Sequence, residues 1–451
     1  MKAIINEVAE KLKHEFIKFF SEEEIGLVEA ERYFSRRIAD ATLELLRVYY
    51  EEMDRRLLED KARRKQLGLT VERRNAEREI LTSFGCLEYK RTYYKKASGG
   101  YEFPTDQVIG IGSYERVSEH VGLSLVDASC EMSYAKASQY VTGSQVSKQT
   151  VMNKIRQACP QHELVEYRKL TELHIDADED HVNLQSGDNA IVPLVSIYEG
   201  IEHQGKRGIC KNIFHISEYG KSPDEFWEEV SEELYRRYDL RDAKVYLHGD
   251  GANWIRTGME YLPNCRFVLD RYHKNAAIKQ ALSGIDQNTG KEYESRIRKA
   301  LDEDAPDQLL SVRDEILSKY PHRKGTVKEN IEYLLNNFDA ITITNHDEAS
   351  LNGGCTEPHV SHVLSSRLSS RPMGWSRTTL KRFVPILANG SATFTAIEEP
   401  EYECLSAAEA YKYIRKRYLP NTLGLADPDN SVSFPARAYK VTGLFNALKP
   451  F

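Results

Sequence analysis

Val245-Tyr-Leu-His-Gly-Asp250-Gly-Ala-Asn-Trp254 is the stretch of this sequence that decides its fold. An apolar run ends there in an aspartate and a glycine. A second run, Cys265-Arg-Phe-Val-Leu-Asp270-Arg-Tyr-His273, ends in an aspartate with a histidine three residues later. Both runs have the length of a buried strand. We therefore expect acidic groups at the carboxyl ends of two adjacent strands, where open α/β sheets form their sites.

The sequence around these two runs alternates between strand and helix patterns. Three strands are predicted first, at Leu173–Leu184, Ala190–Tyr198 and Asn212–Ile216. An amphipathic helix from Pro223 to about Tyr238 separates them from the strands at Lys244–Leu247 and Arg266–Leu269. Three strands, helix, strand, helix, strand, helix is the order of a ribonuclease H-like α/β core. A nearly all-helical stretch, 272–338, follows as an insertion.

The composition excludes several classes of protein. Hydrophobic residues make up 41% and charged residues 29% of the 451 residues, as in ordinary globular chains. No apolar run approaches the roughly 20 residues of a membrane span, and the N-terminus lacks a secretory signal. Seven cysteines without a C-x-x-C pair argue against a disulfide framework or a zinc ribbon. We expect a cytoplasmic protein without a membrane partner.

Charge is unevenly distributed along the chain. The net charge of −7 is a mild argument against a nucleic-acid partner. Between Arg55 and Lys96, however, 13 Lys and Arg face 6 Asp and Glu, which gives +7. The segment 361–382 contains five basic residues and no acidic one. A solvated face is the alternative interpretation of each segment, so charge alone does not decide the partner.

The N-terminal third is mainly helical in pattern, with a hairpin pattern around Gly85. Near its end, small Ala137, Gly143 in a turn and Ser147 as an N-cap favour a helix-turn-helix. The second helix would present polar side chains to phosphates or base edges: Lys148, Gln149, Asn153 and Lys154. An ordinary helical hairpin is the equally weighted alternative.

A late acidic residue completes the pattern. Asn352-Gly-Gly-Cys-Thr-Glu357-Pro-His-Val opens a helix after a Gly-Gly turn, which puts Glu357 in the first helical turn. The helix dipole favours a carboxylate there, and the side chain can project into a site.

Together these residues resemble the bacterial insertion-sequence transposases of the ISLre type, relatives of the Mutator-like transposases with a DDE core. The resemblance covers nearly the whole chain. It rests on motifs given in chain order: Arg78 with Thr82-Ser-Phe-Gly85 and Tyr93; Ser133-Tyr134-x-x-Ala137 with Val146-Ser147-x-x-Thr150-Val151; Asp176-Ala-Asp178-Glu-Asp-His181-Val182; Gly249-Asp250-Gly251; Asp270-x-x-His273; and Glu357-x-x-x-Ser361-His362 with Arg367 and Met373-Gly-Trp375-Ser376.

The resemblance implies Mg²⁺-dependent cleavage and strand transfer of DNA, with Asp178, Asp250 and Glu357 as the catalytic triad. Their spacings are 250 − 178 = 72 and 357 − 250 = 107 residues. Two Mg²⁺ ions, or Mn²⁺ in their place, would lie between these carboxylates, with Asp178 bridging both. The partners implied are terminal-repeat and target DNA and a second copy of the chain, in a nucleoid-associated bacterial protein. Arg367 and Arg371 would also contact DNA.

Some site assignments stay open at this point. Asp176 lies on the same strand face as Asp178, and Asp180 is a weaker third choice for the first carboxylate. His273 could position the scissile phosphate or donate a proton, with Asp270 beside it. Alternatively, Asp270 caps a helix and His273 bonds within the core. Trp254 and Trp375 could stack on an unpaired base, although core packing is favoured.

The predicted organisation has seven parts: a helical arm (1–79), a small hairpin region (80–110), a helix-turn-helix region (111–165), the first part of the core (166–275), a helical insertion (276–345), the second part of the core with Glu357 (346–400) and a C-terminal tail (401–451). Two other functions remain alternatives to transposition. One is a domesticated ribonuclease H-like nuclease that only cuts, and the other is a non-catalytic helix-turn-helix DNA-binding protein.

Overall fold

A computed structural model of the chain describes residues 2–21, 25–161, 165–205, 207–346 and 356–394. The expected C-terminal tail, 401–451, lies outside the described residues, as do 347–355 and 395–400 of the expected second core part. The chain divides into two compact units, Met1–Lys154 and Ile155–Phe451. Each unit has its own architecture and is described by itself.

The first unit is a long helical arm, a β-hairpin and a group of short helices. Its elements are α1 (Lys2–Phe20), α2 (Leu27–Glu59), α3 (Lys61–Gln66), β1 (Leu69–Thr82), β2 (Gly85–Lys96), β3 (Tyr101–Glu102), α4 (Pro104–Ile109), α5 (Glu119–Glu131), α6 (Tyr134–Thr142) and α7 (Lys148–Gln157).

A buried carboxylate fixes the hairpin to the long helix. Asp54 of α2 accepts hydrogen bonds from the Thr92 amide at 2.9 Å, the Thr92 hydroxyl at 2.6 Å and the Thr105 hydroxyl at 2.8 Å. Burying a carboxylate without hydrogen-bond partners would cost free energy, and these three bonds supply partners for Asp54. Leu43, Leu46 and Tyr50 of the same helix pack against apolar side chains of the hairpin.

The hairpin expected around Gly85 is present, but it is longer than the sequence pattern suggested. β1 begins at Leu69, so the expected boundary between 79 and 80 falls inside this strand. Two register shifts against β2, between Val71 and Arg73 and between Arg73 and Ala76, interrupt its alternation. Such bulges insert unpaired residues and remove the period of two that identifies a strand.

Two helices joined by a short turn, α6 and α7, lie where the sequence predicted a helix-turn-helix or an ordinary helical hairpin. Gly143 ends α6 in the left-handed conformation with φ of 58°, and Ala137 is fully buried. The Ser147 hydroxyl accepts a hydrogen bond from the Thr150 amide at 3.1 Å, which caps α7. The boundary between the two units falls within α7, after Lys154.

The second unit begins with strands and ends with helices. Its elements are β4 (Cys159–Pro160), β5 (Arg168–Lys169), β6 (Glu172–Asn183), β7 (Asn189–Tyr198), β8 (Ile201–Gln204), β9 (Arg207–Cys210), β10 (Phe214–Ile216), α8 (Pro223–Arg237), β11 (Tyr238–Asp239), β12 (Lys244–Gly249), α9 (Asn253–Thr257), β13 (Cys265–Leu269), α10 (Arg271–Leu282), α11 (Gln287–Asp302), α12 (Pro306–Lys319), α13 (Lys324–Asn336), α14 (Phe338–His346), α15 (Thr356–Val360), α16 (Ser366–Leu368), α17 (Arg377–Asn389) and β14 (Ala392–Thr393). A π-helical turn, Ser361–Ser365, joins α15 to α16.

A five-stranded mixed sheet organises this unit, with strand order β10-β7-β6-β12-β13. β7 pairs antiparallel with both β10 and β6. On the other side of β6, β12 and β13 run parallel to it and to each other. The predicted mixed α/β class is therefore confirmed, and all five strands expected from the sequence are members of this one sheet.

One apolar core joins this sheet to the helices that follow it. Trp227 of α8, Ile278 of α10, Ile297 of α11 and Ile331 of α13 belong to the same buried cluster as Ile175 and Leu247 of the sheet. The helical insertion thus packs on the sheet instead of forming a core of its own. Within the described parts of the chain, no helix is long and apolar enough to cross a membrane.

Gly258 packs against the ring of Trp227, and this contact gives a test of the fold. A Cβ atom there would lie 2.6 Å from the Trp227 ring, so Gly258→Ala should lower the unfolding free energy by about 1–3 kcal/mol. Gly290 of α11 is the matched control, because its Cβ would meet nothing within 4 Å. Gly290→Ala should stabilise by about 0.5–1 kcal/mol through its effect on the helix. Urea unfolding of both variants measures the difference, and equal midpoints would contradict the packing described.

Candidate active site

Three adjacent strands bring three aspartates to one level of the sheet. His248 of β12 pairs with Asp176 of β6, and Gly249 pairs with Leu269 of β13. The Asp270 amide donates to the Gly249 carbonyl at 2.8 Å, which extends this pairing past the end of the strand. Continuing the register puts Asp178, Asp250 and Asp270 in one row, with neighbouring strands about 4.8 Å apart.

The turn that carries Asp250 is fixed by its surroundings. A Cβ on Gly249 would lie 3.0 Å from the Ala177 carbonyl oxygen, so only glycine allows this approach of two strands. Gly251 has φ of 90°, which also favours glycine. The Asp250 carboxylate accepts from the Ala252 amide at 2.8 Å, and Tyr333 of α13 donates its hydroxyl to the Asp250 carbonyl at 2.6 Å.

The segment that carries Glu357 is attached to the sheet on both sides of that residue. The buried Thr356 hydroxyl donates to Asp270 Oδ2 at 2.6 Å. His359 Nδ1 lies 3.3 Å from Asp176 Oδ2. These two contacts hold the first turn of α15 over β6 and β13, and the Glu357 side chain between them is exposed.

The three aspartates of β6 have different surroundings. Asp176 is 1% exposed and also accepts from the Tyr198 hydroxyl at 3.2 Å. Asp180 is buried and accepts from the Ser369 hydroxyl at 2.8 Å. Asp178 lies between them, is only partly buried, and accepts from the amide of its neighbour Glu179 at 2.8 Å. Asp176 and Asp180 therefore bind structural partners, while Asp178 faces the row of carboxylates.

The electrostatics connect the members of the expected triad. The pKa of Asp178 is raised to about 6, mainly by burial and also by the nearby charges of Glu357 and Asp250, against the hydrogen bond from Glu179 and the charge of His273. The pKa of His273 is raised by its interaction with Asp270 and by the charges of Asp250 and Asp178. The charges of Asp250, Glu357 and His273 thus all act on Asp178.

Asp270 has the capping role that the sequence left open. Its Oδ1 accepts from the amides of Tyr272 at 2.7 Å and His273 at 3.3 Å, at the start of α10. Burial opposes its ionisation, but the hydrogen bonds from His273 and Thr356 lower its pKa. His273 Nδ1 lies 3.4 Å from Asp270 Oδ1, which orients the imidazole beside the carboxylates.

Carboxylate oxygens are ligands that suit Mg²⁺. As placed, no group of three or more His, Cys, Asp or Glu side chains among the described residues is arranged to hold a metal ion. The donor set fits the ion chemically, and a cation would favour the ionised form of Asp178, which burial and, to a smaller extent, the charges of Glu357 and Asp250 disfavour. Binding an ion between all three carboxylates therefore requires that they move closer together.

The expected DNA-contacting residues fall into two groups. Lys148, Gln149 and Asn153 are exposed on α7, and Arg371 is also exposed. Lys154 is buried, with its ammonium 2.6 Å from Glu115. This burial occurs because α7 turns that side chain towards an acidic partner instead of solvent.

Arg367 is also buried, and it packs on aromatic rings. Its guanidinium lies 4.8 Å from the Trp375 ring centroid and 5.4 Å from that of Phe383. The Trp375 indole donates to the Leu368 carbonyl at 3.0 Å, and Trp254 stacks on Trp227. Both tryptophans therefore have the core packing that the sequence favoured over base stacking.

Three contributors to the site were not anticipated: Tyr333, Thr356 and His359. Thr356 and His359 flank Glu357 in the sequence. A hydroxyl and an imidazole so close to a candidate carboxylate were the signal by which these two residues could have been predicted. Tyr333 lies 83 residues from Asp250. Nothing in the pattern of α13 distinguishes its hydroxyl from that of any other partly buried tyrosine.

Comparison with known proteins identifies relatives over most of the chain. Residues 20–399 match the model of UPF0236, described as an uncharacterised protein family. A UPF0236 protein of Caldanaerobacter subterraneus subsp. tengcongensis is 38% identical over 339 residues, which cover 73% of this chain and 70% of the relative. Another from that organism, whose name combines eleven numbered loci, is 37% identical over 75% of this chain and 72% of its own length. A UPF0236 protein of Streptococcus gallolyticus, named for a vanSb 3′ region, is 24% identical over 69% of this chain and 72% of its own length.

The bond between Thr356 and Asp270 can be tested by a matched pair of variants. Thr356→Val keeps the shape of the side chain but leaves a buried carboxylate oxygen without its donor, which should cost about 1–3 kcal/mol of unfolding free energy. Thr356→Ser keeps the hydroxyl and should cost less. Chemical denaturation measures both, and a loss in Thr356→Ser that equals or exceeds the loss in Thr356→Val would contradict a dominant contribution of the hydrogen bond.

The crowding of Asp178 predicts a pH-dependent gain in stability when its charge is removed. The folded-state pKa, about 6, lies above the ordinary value of about 3.9, so the ionised group destabilises the fold fully above pH 6 and not at all below about pH 4. In EDTA, Asp178→Asn should therefore raise the urea midpoint near pH 7.5, and the gain should shrink as the pH falls towards 4. Asp314→Asn, at an exposed position on α12, controls for loss of one negative charge. A gain that grows on acidification would overturn the assignment.

Proposed function

The chain belongs to the uncharacterised family UPF0236, and we propose that it is a DDE transposase that cleaves and joins DNA strands at the ends of a mobile element. The observation that carries this proposal is that strand register and the Thr356–Asp270 bond place Asp178, Asp250 and Glu357, from three distant parts of the sequence, near one another at the sheet, where the charges of Asp250 and Glu357 act on Asp178. Hydrolysis and strand joining are both in-line phosphoryl transfers, which need clustered oxygen ligands for divalent metal ions.

The strand topology supports a ribonuclease H-like core for this function. Three strands pair antiparallel in sequence order, and the fourth and fifth add parallel to the free side of the first. Asp178 then belongs to the first strand, Asp250 follows the fourth, and Glu357 begins a late helix. The proposal places the helices 276–345 as an insertion between the second and third acidic residues.

The occurrence of relatives supports a mobile element. The eleven loci combined in one relative's name belong to a single genome, and other names from that genome also combine several loci. Multiple near-identical copies are what repeated transposition leaves behind. This pattern favours transposition over a domesticated nuclease or a DNA-binding protein without an activity.

Asp178, Asp250 and Glu357 would hold two Mg²⁺ ions, which when bound activate the attacking oxygen and stabilise the leaving oxygen. To complete the ligand set, the exposed Glu357 side chain would have to turn towards the aspartates while Thr356 and His359 keep α15 on the sheet. His273, held by Asp270, would orient the scissile phosphate or give its proton to the leaving oxygen. Asp176, paired with His359, is the less suitable first carboxylate because its oxygens already have structural partners.

We further propose that exposed Lys148, Gln149 and Asn153 of α7 contact the terminal DNA of the element. Joining two ends in one reaction requires two active sites, so a second copy of the chain is the expected partner. Arg371 is available for a phosphate contact, whereas Arg367 and Lys154 would have to leave their buried positions to reach DNA.

Removal of one charge at Asp250 tests the activity. Asp250→Asn should abolish Mg²⁺-dependent cleavage of labelled duplexes that carry the DNA flanking this gene, because amide oxygen is a weaker ligand than carboxylate. Binding of the same duplexes should change little, and Asp314→Asn should cleave normally. EDTA should stop cleavage by the unaltered protein.

Other results would decide between the alternatives. Cleavage retained by Asp250→Asn would contradict the assigned site. Cleavage without joining of the 3′ end to a second duplex would identify a nuclease, and binding without any cleavage would identify a DNA-binding protein.

A further inference from the structure

A second basic surface lies in the first unit, at the end of the hairpin where α3 joins β1. Its cationic side chains are exposed: Lys61, Arg63 and Lys65 of α3, Arg73 and Arg74 of β1, and Lys95 of β2. We call these six residues the basic strip. The register pairs Thr70 with Lys95 and Arg73 with Tyr93, so the positions from the two strands are neighbours.

The backbone of β1 projects part of this strip outward. Register shifts on both sides of Arg73 leave Glu72 and one residue of the stretch 74–75 without a partner on β2. Asn75 has φ of 53°, a left-handed conformation that Asn tolerates better than most residues. β-Bulges of this kind often serve to change the direction in which a side chain points. Here Arg73 and Arg74, at the bulges, point into solvent.

The basic strip has a strong positive charge, and acidic side chains near it do not neutralise that charge. The segments 61–75 and 93–102 contain eight Lys and Arg and two Asp and Glu, which gives 8 − 2 = +6 in a chain of net charge −7. Glu102 already pairs with Lys96 at 3.2 Å. Within the described part of the chain, none of the six residues of the strip has a carboxylate within ion-pair distance. This concentrated charge is therefore available to an anionic partner.

Two tyrosines complete the surface. Tyr93 and Tyr101 stack with ring centroids 5.1 Å apart, and the Arg73 guanidinium lies 6.0 Å from the Tyr93 centroid. Lys95 pairs in the sheet with Tyr101, which is 49% exposed. The rings hold Arg73 and Lys95 apart on a stiff surface, and a tyrosine hydroxyl can donate to a phosphate oxygen.

The chemistry of the strip favours a nucleic-acid backbone over a lipid surface. Helices that bind anionic membranes have an apolar face beside their basic one, whereas α3, Lys-Ala-Arg-Arg-Lys-Gln, has no large apolar side chain. All six side chains of the strip are Lys or Arg, with no Asn or Gln to read adenine, and spread-out cations of this kind contact mainly phosphates, so we expect binding independent of base sequence.

We infer that the basic strip binds the phosphate backbone of duplex DNA, independently of base sequence, as a second DNA-contacting surface besides α7. The inference deepens the proposed function, since it rests on DNA as the partner. In that function the strip would hold duplex beside the recognised end or the target, while α7 reads sequence.

The test measures binding of the full chain to short fluorescein-labelled duplexes of random sequence, by anisotropy over a range of salt concentrations. The triple variant Arg73→Gln, Arg74→Gln, Lys95→Gln should lower affinity roughly tenfold or more. It should also reduce the slope of log K against log salt by about 0.9 for each phosphate that the variant no longer neutralises. A second variant, Lys61→Gln, Arg63→Gln, Lys65→Gln, should act in the same direction.

A matched triple variant controls for the loss of three positive charges. Lys279, Lys291 and Lys319 are exposed on α10, α11 and α12, and their replacement by Gln should leave the salt slope unchanged. An unchanged slope in both strip variants, or an equal reduction in the control, would overturn the inference. It would also be overturned if the strip variants were impaired only in binding to single-stranded RNA or to phosphatidylserine vesicles.

The outcome is separable from that of the proposed function. If unaltered protein cleaves element ends but the strip variants keep their salt slope, the inference fails and the proposed function stands. If the strip variants no longer bind random duplex but no protein cleaves DNA, the strip is supported and transposition is not.

Discussion

The candidate site depends on the parallel hydrogen bonding of β6, β12 and β13. Each strand contributes one aspartate near the same level, and only the register between the strands makes these residues neighbours. A slip of one residue would turn a whole strand over and send its acidic side chain to the opposite face. Gly249 keeps the first two strands close, and the apolar core shared with α10–α14 holds the sheet against such a slip.

This arrangement places like charges together, which opposes folding. The raised pKa of Asp178, which is due mainly to burial and partly to the charges of Glu357 and Asp250, records part of that cost. Neighbouring groups offset part of it: Tyr333 bonds to the backbone of Asp250, Thr356 bonds to Asp270 at one end of the row, and His359 lies beside Asp176 on β6. Stability is thus supplied by residues around the carboxylates, as is usual where function requires an unfavourable local structure.

Much of this organisation could be predicted from local patterns, because the signals were local. Strand ends at Asp250 and Asp270, the turn at Gly143 and the cap at Ser147 follow from hydrophobic period and from the conformational preferences of single residues. The burial of Lys154 and Arg367 could not be predicted in this way. Their partners, Glu115 and the rings of Trp375 and Phe383, are set by tertiary packing, and a cationic side chain gives no local sign of which partner it has. The early start of β1 was hidden for a different reason, since its bulges break the alternation that marks a strand.

The π-helical turn between α15 and α16 has a consequence for the angular position of Glu357. The helix from Thr356 to Leu368 is continuous, and Ser361–Ser365 adds a residue to one of its turns. Each residue of an α-helix rotates the chain by about 100° about the helix axis. The extra residue therefore changes the direction in which the side chains before the π-helical turn point, relative to those after it. Leu368 is anchored by the Trp375 indole, and the extra residue therefore sets the angular position of Thr356 and His359, which contact Asp270 and Asp176, relative to that buried end. Deletion of a single residue from this turn would rotate the segment that carries Thr356, Glu357 and His359 by about 100° relative to Leu368.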